Sequence, residues 1–156
     1  MRNSFTFLIY GEGGHSAQMN RLLNNLNQDS TKLIHIVDSK NLVLGEKYYY
    51  CRPLRKKSNN TIFYTLISII ISLFLALKLF ILYRPKSIIS TGPAFCFLFF
   101  IIGKVTRSKL IFIETWSRFY TKSQTAKLIY PIADMFLYQN VELKKIYPKG
   151  IYSGRL

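Results

Sequence analysis

Phe5-Thr-Phe-Leu-Ile-Tyr10 runs directly into Gly11-Glu-Gly-Gly-His15, and a segment with helical spacing follows. The first run is apolar, aromatic and too short to span a membrane, and three glycines then fall within four residues. This succession predicts a strand, a tight turn and a helix. Glycines let a ligand approach the backbone, and a helix start offers free N–H groups to an anion. The stretch therefore favours a phosphate or diphosphate ligand, although it matches neither the dinucleotide fingerprint nor a P-loop.

The rest of the chain alternates between short apolar runs and helical segments. Further strands are predicted at residues 32–37, 48–52, 86–90, 109–114 and 135–138, the last being the final strand. Helices are predicted at residues 62–83, 94–104, 122–129 and 142–146. This alternation predicts an α/β fold with a Rossmann-like, doubly wound parallel sheet, in which strands 5–10 and 86–90 are neighbours at the topological switch point. We expect Thr91 to cap the helix at 94–104, with Pro93 at its first position.

The composition combines strong positive charge with high apolar content. The 156 residues carry a net charge of +15 and are 49% hydrophobic, which predicts one folded domain over residues 1–156 and excludes disorder. A basic surface fits nucleic acid or anionic lipid headgroups, and the hydrophobic richness favours lipid. The aromatic residues lie in runs typical of buried segments and match no nucleic-acid-binding motif, so we expect no nucleic-acid partner.

The cysteines and histidines indicate neither a metal site nor a secreted protein. Cys51 and Cys96 have no metal-ligand spacing, and we expect reduced thiols in a cytoplasmic compartment. Residues 1–4 run straight into the first strand, so we expect no cleavable signal peptide. His35 lies within a predicted strand, where a packed structural role is expected.

Residues 62–83 form the most apolar stretch, and they can be interpreted in two ways. A helix of about 22 residues has roughly the length of a bilayer core, so a spanning helix is one alternative. A stripe of small residues on one face is typical of a helix that packs closely on a sheet; its members are Thr61, Thr65, Ser68, Ser72 and Ala76. Basic residues flank both ends, at 55–57 and 84–86. Because neighbouring strands cannot lie on opposite sides of a membrane, we favour a monotopic helix whose outer face lies in the headgroup region.

Five blocks in register carry a resemblance to a known family. They are Gly13-Gly-His-Ser-Ala-Gln-Met-Asn-Arg-Leu-Leu23, Arg84-Pro-Lys-Ser-Ile-Ile-Ser-Thr-Gly-Pro93, Leu110-Ile-Phe-Ile-Glu-Thr115, Lys127-Leu-Ile-Tyr-Pro-Ile-Ala-Asp134 and the closing Tyr147-Pro with Tyr152-Ser-Gly. Together they resemble the membrane-anchoring subunit of the two-part N-acetylglucosaminyltransferase of N-glycan assembly. Bacterial members of that family are subunits of capsule and exopolysaccharide glycosyltransferases.

The resemblance implies the N-terminal, acceptor-side half of a GT-B glycosyltransferase, inactive or nearly so alone. A separate soluble subunit would hold the UDP-sugar, and the acceptor would be a polyprenyl-diphosphate-linked sugar. The chain would lie at the cytoplasmic face of the cell membrane, peripheral or monotopic, on an anionic surface. No cofactor is implied. The alternative is a membrane scaffold that anchors the partner and contributes no side chain to catalysis.

The same resemblance suggests candidate site residues. His15 would polarise or deprotonate an acceptor hydroxyl, or only shape its loop. Glu114, at the end of a predicted parallel strand, is the second catalytic candidate, with a structural pairing to Arg118 as the alternative. The candidate acceptor-binding residues are Gly11, Gly13, Gly14, Ser90, Thr91, Gly92 and Arg118, although residues 90–92 could serve only to make a turn. Glu12 disfavours a diphosphate at this loop unless it points away or pairs with a cation such as Arg21. The tail from Tyr147 onward is the candidate partner contact.

Overall fold

The computed structural model describes residues 4–25, 32–45, 47–54 and 62–155. Within these ranges seven strands form one sheet in the order β3-β2-β1-β4-β5-β6-β7, and every pair is parallel. The strands are β1 (Thr6–Tyr10), β2 (Leu33–Val37), β3 (Tyr48–Tyr50), β4 (Ser87–Ser90), β5 (Lys109–Ile113), β6 (Met135–Tyr138) and β7 (Ile151–Tyr152). The α/β fold with a doubly wound parallel sheet that the sequence predicts is confirmed.

β1 and β4 are neighbours at the centre of the sheet, as predicted. Thr6 pairs with Ser87, and Ile9 pairs with Ser90. From β1 the chain adds β2 and β3 on one side, then crosses back to β4 and continues outward on the other side. The strand order therefore reverses between β1 and β4. The carboxyl ends of these two strands form the topological switch point, where ligands of this fold class bind.

Helices cover both faces of the sheet. The described α-helices are α1 (Gly14–Asn25), α2 (Ile62–Tyr83), α3 (Cys96–Val105) and α4 (Gln124–Ile129). Successive strand residues point to opposite faces, so Phe7 and Ile9 join a core with α2, α3 and α4, whereas Leu8 and Tyr10 join a second core with α1. Within the described ranges, the 3-10 helices Lys40–Leu42 and Val141–Lys145 follow β2 and β6.

Two predictions about local structure are wrong. The sheet does not end at β6, because the two-residue strand β7 pairs with it in parallel. Thr91 does not cap a helix: α3 begins at Cys96, its N-cap Phe95 makes no side-chain cap, and the Thr91 hydroxyl donates to the His15 carbonyl instead. Residues 91–95 form a turn before α3, so Pro93 lies outside the helix.

α2 has the bounds that the sequence predicts, and its two faces differ sharply. The small residues Ser68, Ser72 and Ala76 are fully buried, which confirms that the small-residue stripe packs inward. The outer face is apolar and exposed; Phe63 and Phe74 have 78% and 69% of their surface accessible. By length and composition, α2 is the one helix within the described ranges that could cross a membrane. Thr61 and the predicted basic cluster at 55–57 lie outside the described residues.

His35 and the two cysteines are buried. His35 is 9% exposed, its Nδ1 shares a hydrogen bond of 3.0 Å with the Tyr10 hydroxyl, and its ring stacks on Tyr48. Burial lowers the pKa of His35 from 6.5 to about 4, so the ring is neutral in the folded protein. Cys51 and Cys96 are free thiols with no accessible surface, and burial raises the pKa of each to about 12. The predicted packed histidine is confirmed.

Candidate functional site

The carboxyl edge of the sheet brings together three of the predicted site segments. The glycine loop at 11–14 follows β1, the turn at 91–92 follows β4, and Glu114 follows β5. All three strands are parallel and β1, β4 and β5 are adjacent, so their carboxyl ends meet at one edge. The sequence-predicted residues His15, Thr91 and Gly92 contact one another there.

His15 and Thr91 are joined by two hydrogen bonds. His15 Nδ1 lies 2.5 Å from the Thr91 carbonyl oxygen, and the Thr91 hydroxyl donates to the His15 carbonyl at 3.0 Å. A carbonyl oxygen can only accept, so Nδ1 carries the proton in this tautomer. In the neutral ring Nε2 then carries the lone pair. This is the arrangement in which an oriented imidazole can accept a proton from a hydroxyl.

Glycines let this pair approach closely. Gly92 has a φ of +119°, and a Cβ there would lie 3.0 Å from His15 Cε1, so both the backbone and the ring contact require glycine. Gly13, at φ +68°, makes the turn into α1. The loop is thus shaped around the imidazole.

Asp38 is a residue of this edge that the sequence reasoning did not select. It follows β2, and a Cβ at Gly11 would lie 2.5 Å from Asp38 Oδ2. Asp38 Oδ1 accepts a hydrogen bond from the Glu12 backbone N–H at 3.0 Å, while the Glu12 residue itself is exposed. Burial raises the pKa of Asp38. The sequence did carry a signal for this contact, because Asp38 directly follows a strand that was predicted to lie parallel to the strand before the glycine loop.

Glu114 lies in a buried hydrogen-bond network. It is 1% exposed; Oε1 accepts from the Thr115 N–H at 3.0 Å, and Oε2 accepts from the Ser123 N–H at 3.3 Å and the Tyr147 hydroxyl at 2.5 Å. The predicted pairing with Arg118 is wrong, because the Arg118 guanidinium donates to the Thr121 hydroxyl instead. Glu114 therefore fixes the loop after β5 against the C-terminal segment.

Tyr147, where the predicted partner contact begins, is not accessible to a partner chain. It has no accessible surface, and burial together with the hydrogen bond to Glu114 raises its pKa. It is therefore a core residue, and only the part of the tail that follows it, including Tyr152, is exposed. Ser90 is also fully buried, and its hydroxyl accepts the Gly92 N–H at 3.2 Å, as expected of a turn-forming side chain.

An exposed aromatic loop borders the same edge. Trp116, Phe119 and Tyr120 are 42%, 39% and 77% exposed, and Arg118 lies among them. Asn140 holds this loop by donating to the Trp116 carbonyl at 2.7 Å and to the Arg118 carbonyl. The sequence reasoning selected Arg118 but missed the aromatic residues. Their signal was their position directly after β5, at the edge where the glycine loop also lies.

No metal site is found among the residues that the structure describes. Groups of three or more His, Cys, Asp or Glu side chains able to hold a metal ion are absent from these ranges. The groups that could meet a ligand at this edge are the His15 ring, the backbone of the glycine loop and the aromatic loop.

The fold and its switch-point loop define a Rossmann-like domain of the class that forms one half of GT-B glycosyltransferases and related epimerases. The MurG structure from Acinetobacter baumannii superposes on 89% of the chain with a TM-score of 0.64 and 9% identity. A putative UDP-N-acetylglucosamine 2-epimerase from Listeria monocytogenes superposes on 96% with a TM-score of 0.67 and 9% identity. The chain spans 42% of the length of each of these two structures, and the likeness concerns the fold alone.

The profile of the Alg14-like oligosaccharide biosynthesis proteins matches residues 6–156, and the chain belongs to that family. A human protein named UDP-N-acetylglucosamine transferase subunit ALG14 is 27% identical over 187 residues, covering 99% of this chain and 84% of the human protein. The rat protein of the same name is 26% identical, covering 96% of this chain and 81% of the relative. A Yarrowia lipolytica protein of that name is 24% identical and covers 99% of the chain. The resemblance drawn from the five sequence blocks is confirmed.

Proposed function

We propose that this protein is the membrane-associated, acceptor-side subunit of a two-component hexosyltransferase. The observation that carries the proposal is the family match over residues 6–156, which includes the glycine loop, α2 and the whole sheet. Curated relatives, of which the chain covers 81% and 84%, are named as UDP-N-acetylglucosamine transferase subunits. Residues 1–156 would act as one acceptor-side domain.

The partner would be a soluble chain that holds the nucleotide sugar. The acceptor would bind between the glycine loop and the aromatic loop at the switch-point edge, and the partner would close over that edge with the donor. The acceptor would be a polyprenyl-diphosphate-linked sugar, whose hydrocarbon chain requires a protein at a membrane surface. Capsule or exopolysaccharide synthesis is the setting that we propose for it, and the chain alone would have little or no activity.

The chemistry would centre on His15. An acceptor hydroxyl attacks the anomeric carbon of the donor sugar and must lose its proton as the nucleoside diphosphate leaves. The Nε2 lone pair of His15 would take that proton, because the Thr91 carbonyl holds Nδ1–H and fixes the ring. Glu114 would act as a positioning residue for the aromatic loop, since its carboxylate is buried and already bonded to Tyr147, Thr115 and Ser123.

The acceptor-binding groups would be backbone and loop residues around that ring. The N–H groups of Gly13 and Gly14 lie at the start of α1, where the helix dipole favours an anion such as the diphosphate. Gly11 and Gly92 would support the site by making room for Asp38 and for the His15 ring, and Arg118 would supply positive charge to the acceptor. The turn made by Ser90 and Thr91 supports the site through the hydrogen bond to His15.

The membrane contact would be made by the outer face of α2. That face is apolar and exposed along most of the helix, and the inner face is bound to the sheet. The helix would lie in the headgroup and acyl boundary at the cytoplasmic face of the membrane, as amphipathic monotopic helices do. The net charge of +15 would add attraction to an anionic surface.

His15→Asn tests the catalytic proposal. The asparagine amide can still donate to the Thr91 carbonyl, but it has no group equivalent to Nε2. With the partner chain co-expressed, we expect the complex to form and sugar transfer to a polyprenyl-diphosphate acceptor to fall at least about 100-fold. Asn20→Ala, an exposed position further along α1, is the matched control and should transfer at the normal rate.

Two outcomes contradict the proposal in different ways. A His15→Asn complex that transfers sugar at the full rate would favour a membrane scaffold, in which the partner supplies every catalytic group. A chain that copurifies with no donor-binding partner, and adds no activity to one, would contradict the subunit assignment itself.

A further inference from the structure

A strongly basic cleft lies at the amino edge of the sheet, opposite to the His15 site. Its volume is about 700 Å³, and it is formed where α2 and α3 end and where β4 and β5 begin. The charged residues lining it, among those that the structure describes, are Arg84, Lys86, Lys104, Arg107, Lys109 and Asp134. Five cations and one carboxylate give the cleft a net charge of +4, and all six residues are exposed.

The single carboxylate does not neutralise this cleft. Asp134 Oδ1 accepts from Lys104 Nζ at 2.8 Å, and Oδ2 accepts from the Leu110 N–H at 2.8 Å. Both oxygens are therefore engaged: Asp134 pairs with Lys104 and also attracts Lys109. One carboxylate against five basic side chains leaves the cleft net positive.

An apolar groove of about 400 Å³ continues from this cleft between α2 and α3. Leu77, Phe80, Ile81 and Ile102 line it. It also shares three residues, Arg84, Pro85 and Thr106, with the basic cleft. The two spaces therefore lie next to each other, and the cleft is cationic whereas the groove is apolar.

The two arginines hold backbone conformations that arginine rarely adopts. Arg84, directly after α2, has a φ of 46°, and Arg107, just after α3, has a φ of 60°. Glycine is the usual residue at such a helix end. The negative ends of two helix dipoles explain why positive charge is tolerated here, but they do not explain arginine in a left-handed conformation.

A short hydrogen-bond chain holds the two turns together. The Ser108 hydroxyl donates to the Pro85 carbonyl at 2.7 Å, and the Ser108 N–H donates to the Gly103 carbonyl at 2.8 Å. The Arg84 N–H donates to the Phe80 carbonyl at 3.0 Å. The turns that carry the guanidinium groups are thus fixed relative to each other and to the groove.

We propose that the cleft and groove together bind one anionic phospholipid, with the phosphate among the basic residues and a hydrocarbon chain between α2 and α3. Guanidinium groups bind phosphate oxygens in paired hydrogen bonds, and a volume of several hundred Å³ is typical of a ligand site. The groove opens beside the exposed apolar face of α2, where Leu77 and Ile81 are 43% and 76% exposed. This lipid site does not depend on transferase activity.

The lipid site is separate from the candidate acceptor site. β4 joins the two edges through four residues, each advancing the chain by about 3.3 Å, so a diphosphate at the glycine loop lies at the opposite end of the strand. The proposed occupant is therefore a structural lipid of the bilayer and not the sugar acceptor.

Arg84→Gly combined with Arg107→Gly tests the phosphate contact. Glycine suits both left-handed positions, so the free energy of unfolding should be unchanged or higher. Binding to phosphatidylcholine vesicles that contain phosphatidylglycerol should weaken by about five-fold for each arginine. The control is Lys144→Gln combined with Lys145→Gln, on the 3-10 helix that follows β6, which removes the same amount of charge away from the cleft. Because attraction between exposed charges falls off within a Debye length, this control should weaken vesicle binding by less than about two-fold. Equal weakening in both pairs would overturn the site in favour of diffuse attraction.

Photoactivatable phosphatidylglycerol, with the reactive group on the acyl chain, tests the groove. Label confined to residues 77–85 and 102–106 supports the proposal, and label spread evenly over the outer face of α2 overturns it. Inorganic phosphate and glycerol phosphate serve as competitors without a hydrocarbon chain. If either displaces the labelled lipid as well as phosphatidylglycerol does, the cleft is a simple anion site. Stronger displacement by polyprenyl phosphate would equally contradict the assignment.

Discussion

The two edges of the central sheet hold their polar side chains in opposite ways. At the carboxyl edge, Glu114 is 1% exposed and bonded to neighbouring loops, and His15 is held by a residue 76 positions away. At the amino edge, Arg84 and Arg107 are exposed. The first edge depends on hydrogen bonds among a few buried groups, whereas the second presents exposed charged side chains on turns that Ser108 holds in place. Substitutions should therefore affect folding and geometry at one edge and attraction to anions at the other.

The largest expected difference comes from removing one carboxylate at each edge. Glu114→Ala leaves the Tyr147 hydroxyl and the Ser123 N–H without their acceptor, and we expect the free energy of unfolding to fall by at least about 3 kcal/mol. Asp134→Ala removes the half-exposed ion pair with Lys104 and the hydrogen bond from the Leu110 N–H. Loss of the ion pair should lower the free energy of unfolding by less than about 1 kcal/mol, in addition to the effect of losing the Leu110 hydrogen bond. Urea unfolding of both variants measures the difference, and equal losses would contradict the contrast.

The pH dependence of stability should separate buried from exposed groups as well. The unfolded chain binds a proton at His35 below pH 6.5, and the folded chain does so only below about pH 4. Stability is therefore lost as pH falls from 6.5 to about 4, by up to about 3 kcal/mol, because each pKa unit corresponds to about 1.4 kcal/mol.

Asp134 should act in a lower pH window. The Lys104 ammonium lowers the pKa of Asp134 below 3.8, so its contribution is present above that pH and lost as pH falls further. Chemical unfolding of wild type and His35→Phe between pH 7 and pH 4 tests the His35 statement, since the loss of stability over that range should vanish in the variant. Extending the same comparison below pH 3.8 with Asp134→Asn tests the Asp134 statement. A slope that survives the substitution would assign the loss of stability to another group.

The smallest expected effects come from exchanging glycine and non-glycine residues at the two edges. Gly92→Ala places a Cβ 3.0 Å from His15 Cε1 at a φ of +119°, and should cost about 1–2 kcal/mol while displacing the ring. Arg84→Gly relieves a left-handed arginine and should stabilise the fold by less than about 1 kcal/mol. Thermal unfolding compares the two. If Gly92→Ala changed neither the stability nor the rate of sugar transfer, the contact between the His15 ring and Gly92 would not be needed for the site.

Elements with long or strongly apolar patterns were predictable from the sequence. Residues 62–83 carry enough apolar residues to fix both ends of α2, and the stripe of small residues predicted which face packs inward. β1 and β4 follow from short apolar runs, and their adjacency follows from the usual order of doubly wound sheets. β7 was missed because two exposed residues form no pattern that distinguishes a strand from a tail.

Contacts between distant segments were the harder part of the candidate site. The sequence indicated His15 and residues 90–92 separately, but only the three-dimensional structure shows that Nδ1 bonds to Thr91. Tyr147 was assigned to the partner contact because the tail that it begins follows the last predicted element and combines aromatic residues with a chain end, yet its side chain is buried. Burial of a single side chain depends on what the fold places around it, and local sequence carries little of that information.

The reactivity of the two buried cysteines reports whether α2 remains packed on the sheet. Cys51 contacts Ser72 of α2, and neither Cys51 nor Cys96 has accessible surface. An alkylating reagent at neutral pH can react with these thiols only in molecules in which local unfolding has exposed them. A conformation in which α2 detached to cross the bilayer would uncover Cys51, so its alkylation rate on vesicles measures how often the helix leaves the sheet.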